Sequence, residues 1–152
     1  MEIKTFSELI DWTRQLHGHL AKCLAHCASQ NEAERAKLLL NYLAEQEANM
    51  EKMIGSFEAQ AEPKAMKTYI YDYLSHQPVQ SHRTCGAPYA TLGFDDICSE
   101  IFDYHHQVIE LFKDLEARAE IPEAKGLLSA LLAMEEHEAM KIVRQAGRMA
   151  DI

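Results

Sequence analysis

Apolar side chains recur three and four positions apart through four long stretches of this chain, the spacing that gathers one face of an α-helix. The first seam runs Ile10, Thr13, His17, Leu20, Leu24, Cys27, and the second Leu40, Leu43, Glu47, Met50, Ile54, Phe57. The third runs Cys98, Ile101, His105, Val108, Phe112, Leu115, and the fourth Leu128, Leu131, Glu135, Glu138, Ile142, Gln145. Helices are therefore expected over about 5–29, 31–60, 95–119 and 122–149. Thr5 or Ser7 is suited to cap the first, with Glu8 in its opening turn. Pro122 fits the first turn of the last, where its missing N–H costs nothing. The polar stretch 29–32 and the short break before Pro122 each fold a pair of helices into an antiparallel hairpin.

Between the hairpins, Pro63 closes the second helix. Residues 64–76 place Met66, Tyr69, Ile70 and Tyr73 at helical spacing, which predicts a short crossover helix. Residues 77–92 hold Pro78, Gly86 and Pro88 without a helical pattern and form the one irregular stretch. The expectation is an all-α chain, a single domain over 1–152, built as two helix hairpins joined by a long crossover.

Polar residues interrupt each seam at one depth. The two halves repeat at an offset of 88, pairing His17 with His105, Leu40 with Leu128, Leu43 with Leu131, Glu47 with Glu135 and Ile54 with Ile142. Counted from the hairpin turns at about 1.5 Å per residue, the two His and two Glu lie level to within about one helical turn. Four inward polar groups would thus meet around a pseudo-two-fold axis. A buried carboxylate needs a compensating partner. One answer is a metal site formed by His17, Glu47, His105 and Glu135, with Glu138 as a fifth ligand; imidazole with carboxylate suits Fe, Zn or Mn, one ion or two. The other is a metal-free core in which each imidazole hydrogen-bonds a carboxylate across the seam. Rotating the third or fourth helix by one residue would bring in His106 or His137 instead.

The segments LAEQEANMEKM (43–53) and LLAMEEHEAMKI (131–142) resemble the second-helix motifs of the ferritin-like superfamily, which includes rubrerythrins and bacterioferritins. The resemblance implies a ferritin-like four-helix bundle and a metal-binding protein with a redox or metal-handling role. In that superfamily a carboxylate comes from the first helix of each hairpin and a Glu-x-x-His pair from the second. Here His17 and His105 stand where the first-helix carboxylates belong, and Met50 and Glu138 replace the motif histidines. A thioether ligates hard ions poorly, so the donor set departs from the di-iron pattern. The competing class is a metal-free interaction or ligand-binding protein that has lost the site.

Composition narrows the partners. A net charge of −9 over 152 residues disfavours nucleic acid and anionic membrane. No apolar run is long enough to span a bilayer, and the opening MEIKTFSELIDW is no secretory signal, so a cytoplasmic location is expected. Cys23, Cys27, Cys85 and Cys98 lack zinc-finger spacing and are expected as small core residues in a reducing compartment. Two lesser alternatives are a soft-metal patch of His19, Cys23, His26 and Cys27, and a thiol sensor at Cys85 beside His82 and Arg83. Tyr69, Tyr71 and Tyr73 on the crossover ask for a covering surface, which a homodimer would supply.

Overall fold

The computed structural model describes residues 5–67 and 88–151. Four long helices account for most of them: α1 (Phe6–Gln30), α2 (Glu34–Gln60), α4 (Phe94–Arg118) and α5 (Pro122–Ala150). A four-residue α3 (Pro63–Met66) follows α2, and a single 3-10 turn (Pro88–Ala90) precedes α4. These lengths suit their Ala, Leu, Glu, Lys and Met content, since straight-chain residues lose little rotamer freedom in a helix. Thr5 caps α1 as expected, its hydroxyl oxygen accepting from the Glu8 amide at 3.2 Å. Pro122 opens α5.

The seams bury what the periodicity assigned to them. Ile10, Leu24, Leu40, Met50, Ile54, Ile101, Val108, Phe112, Leu115, Leu128, Leu131 and Ile142 all lie in one core. Thr13 is tolerated there because its hydroxyl donates to the Leu9 carbonyl one turn back, at 2.8 Å. The seams fray only at their ends, where Phe57, Cys98 and Gln145 are half-buried. His106 and His137 are exposed, so neither helix is rotated from the expected register.

Three expectations are revised. Helix α2 starts at Glu34 rather than 31, because Asn31 has another task. Its backbone is extended; its amide donates to the Cys27 carbonyl and its side-chain oxygen accepts from the Ala33 amide at 2.9 Å. The Asn31 amide group also donates to the carbonyls of Tyr89 (3.0 Å) and Leu92 (3.1 Å), tying the hairpin turn to the 3-10 turn. Residues 88–90 are consequently ordered within what reads as an irregular stretch. Cys23 is not a free core thiol but disulfide-bonded, whereas Cys27 and Cys98 are free. Spacing on one helix disfavours only a Cys23–Cys27 bridge and says nothing of distant partners. With that bond the inference of a reducing compartment loses its support.

The greater part of the expected crossover helix (68–76), with Tyr69, Tyr71 and Tyr73, lies outside the described residues, as do residues 77–87 and Cys85. No helix among the described residues is long and apolar enough to cross a membrane.

Candidate functional site

His17 enters the core from α1, Glu47 from α2, His105 from α4 and Glu135 from α5, and none is more than 2% exposed. Each sits mid-helix, where backbone groups are already paired, so only side chains are left to satisfy the four polar groups. They satisfy one another. The His17 ring donates through Nδ1 to Glu47 Oε2 and through Nε2 to Glu135 Oε1, the latter at 2.7 Å. His105 donates through Nε2 to Glu47 Oε1, also at 2.7 Å. A ring that donates from both nitrogens is an imidazolium, so His17 carries a positive charge between two carboxylates.

The internal repeat makes the gap in this network visible. The offset of 88 maps His17–Glu135 onto His105–Glu47, and both contacts are formed. It maps the second His17 contact, Nδ1 to Glu47, onto His105 Nδ1 with Glu135. That fourth contact is absent. Among the described residues, His105 Nδ1 and Glu135 Oε2 are buried without a hydrogen-bond partner. The network is a four-sided ring with one side open, and its two loose ends are the atoms that would close it. Glu138 Oε1 and the Tyr104 hydroxyl are likewise buried and unpartnered. Tyr104 stands edge-on to both imidazoles, its ring centre 6.2 Å from that of His17 and 5.2 Å from that of His105.

Electrostatics follow the contacts. Burial by itself would push the His17 imidazole down, but Glu135 and Glu47 outweigh it and hold the ring well above the usual histidine range. Burial would raise Glu47, yet His105 and His17 bring its carboxyl down to about 2. Glu138 is pushed up by burial, against the pull of Lys141, with the Glu47 charge adding to the rise. The Tyr104 phenol is raised well above its ordinary value by burial, then by Glu47 and Glu135. The open side of the ring leaves His105 Nδ1 and Glu135 Oε2 buried without a hydrogen bond. Buried polar atoms left unpaired are costly unless something satisfies them.

A cation is a chemical fit for those loose ends, since imidazole with carboxylate is a suitable donor set for it. The donors are nonetheless turned onto each other: among the described residues, no three His, Cys, Asp or Glu side chains are grouped around a common cation position. His17 has spent both nitrogens, so for it to ligate an N–H must be given up. Spare ligating capacity lies with His105 Nδ1, Glu135 Oε2 and Glu138 Oε1. The soft-metal patch does not assemble: His19 and His26 are exposed, and Cys23 is disulfide-bonded, with Sγ 3.5 Å from His19 Nε2.

The backbone superposes along most of its length on a Thermotoga maritima protein provisionally described as a ferritin-like diiron-carboxylate protein. The TM-score is 0.63, with 12% sequence identity, over 93% of this chain and 94% of that one. This chain has the ferritin-like fold. No protein-family model matches it, and no curated protein does. The ferritin-like bundle accounts for the two helix hairpins packed against each other. Sequence reasoning found the four ring residues through their seam positions. It missed the order in which they pair and the part played by Asn31, because both depend on side-chain rotation.

Proposed function

We propose that this ferritin-like protein binds a metal ion in the bundle core and serves in metal handling or redox chemistry. The residues that would hold the ion are His105, Glu135 and Glu47, with Glu138 beside them and His17 joining on loss of a proton. The observation that carries this reading is the open side of the ring, where two ligand-type atoms, His105 Nδ1 and Glu135 Oε2, are buried without partners. Native polar groups in that condition call for an ion or an ordered water. The Thermotoga protein's description as a diiron-carboxylate protein supports the same reading. Bound there, iron, zinc or manganese would supply Lewis-acid or redox character; the chain supplies the dry pocket and the carboxylates oriented by His17. Elemental analysis of protein purified without chelator should find near-stoichiometric metal that is lost in Glu135→Ala.

A second reading is favoured by the three direct His–Glu contacts. A ring that already satisfies most of its atoms serves a metal-free bundle, with one water on the open side. Wild-type protein with sub-stoichiometric metal and a melt indifferent to chelator would establish this reading and end the first.

A further inference from the structure

The outer face of α5 is basic on a chain that is strongly acidic. His137, Lys141, Arg144 and Arg148 line a concavity of about 460 Å³, completed by Met140 and Gln145 from the same helix and Tyr42 from α2. That volume is in the range of small-molecule sites. Lys141, Arg144 and Arg148 are exposed, and none makes an ion pair with a described carboxylate. Two acids act on Tyr42 at the hollow: Glu138, which is buried and feels the Lys141 charge, and Glu45, exposed on α2. Helix polarity explains only part of this. A cation in the last turn complements the helix dipole, which accounts for Arg148. The dipole's influence does not extend to Lys141, more than two turns from the end of α5. Three exposed cations around one hollow, none in an ion pair with a described carboxylate, on a chain of net charge −9, mark a place where anions are wanted.

We propose that this hollow between α2 and α5 is a binding site for an oligophosphate anion. The spacing selects the class. Lys141, Arg144 and Arg148 follow one helix face at steps of three and four, spread over about 10 Å along the axis. One phosphate reaches two such side chains; a chain of two or three phosphates reaches all three, with the guanidinium forks of Arg144 and Arg148 matched to phosphate oxygens. Tyr42 adds a neutral donor, since burial, then Glu138 and Glu45, keep its hydroxyl protonated. The wall made by Met140 and the Tyr42 ring suits the flat, apolar part of a nucleotide, should the phosphates arrive on one.

Titration calorimetry on the full chain at low salt, with and without EDTA, tests this with inorganic tripolyphosphate, orthophosphate and ATP. Tripolyphosphate should bind saturably, at one site per chain and at least tenfold more tightly than orthophosphate, and should do so in EDTA as well. The EDTA arm makes the outcome independent of any core metal. Tighter binding of ATP than of tripolyphosphate would identify the nucleotide as the source of the phosphates, and equal or weaker binding the free anion. Arg144→Gln with Arg148→Gln should weaken binding at least tenfold at unchanged circular dichroism. Lys113→Gln, on α4, should leave it unaltered. Amide shifts on binding should fall at Tyr42 and residues 137–148. Absence of saturable binding, or equal affinity in the double variant, would overturn the proposal.

Discussion

Glu47 accepts hydrogen bonds from two imidazoles on two different helices, one of them the imidazolium His17. Removing that carboxylate strands a buried positive charge, a loss typically of about 3–5 kcal/mol. Glu47→Ala should destabilise the chelated protein by about that amount in urea unfolding. Replacing His17, Glu47, His105 and Glu135 together with apolar residues of similar volume should leave the chelated protein unchanged or up to about 4 kcal/mol more stable. The same contacts set a pH dependence. The Glu47 carboxyl is lowered from 4.5 to about 2, so its contribution is whole above pH 4.5 and is lost as pH falls towards 2. His17 is raised well above 6.5, so its contribution is whole below pH 6.5 and is lost as pH rises through the higher folded value. The melting temperature of chelated protein should therefore form a plateau between about pH 4.5 and 6.5 and fall on both sides. In Glu47→Gln the acid limb should flatten, and a limb as steep as in wild type would refute the assignment.

At the scale of elements, Asn31 holds the α1–α2 turn and the 3-10 turn before α4 with one side chain. Asn31→Ala leaves the Tyr89 and Leu92 carbonyls and the Ala33 amide without these partners, at a cost of about 1–3 kcal/mol. Hydrogen exchange at the Thr91 and Leu92 amides, which both donate to the Pro88 carbonyl, should speed up in that variant well before α4 exchanges. Unaltered exchange there would mean the 3-10 turn stands by itself. Asn31 also shows where sequence reading reached its limit. The four seams were legible because burying one face imposes a period that survives any neighbour. The start of α2 and the order at Pro88–Ala90 were not, because a long-range side-chain bond decided both. The candidate site divides the same way. A His or Glu on an apolar seam announces itself by position, whereas which oxygen meets which nitrogen is settled only by ring rotation in the packed core. The cations of α5 left no sequence signal beyond a solvated helix face; their meaning comes from Tyr42 across the groove and from the lack of an ion pair to any described carboxylate.

Across the whole molecule, the ring draws one side chain from each long helix, and whatever occupies its open side bridges α4 and α5 directly and reaches the first hairpin through the His17 and Glu47 side of the ring. A ligand that binds only the folded state stabilises it by mass action, about 4 kcal/mol at a thousandfold excess over Kd. For a chain of this size that raises the melting temperature by roughly 10 °C. Because His17 must lose a proton to ligate and His105 must be bare at Nδ1, metal uptake should release protons and strengthen as pH rises. The metal-induced rise in melting temperature should accordingly grow from pH 6 to pH 8, opposite in sign to the loss of the chelated protein's own stability over the same range. It should vanish in Glu135→Ala, which removes a loose end of the ring, and persist in Glu45→Ala, whose carboxylate faces solvent. A rise that is independent of pH, or one that survives in Glu135→Ala, would place the ion elsewhere on the molecule and leave the core ring to hold the bundle together without it.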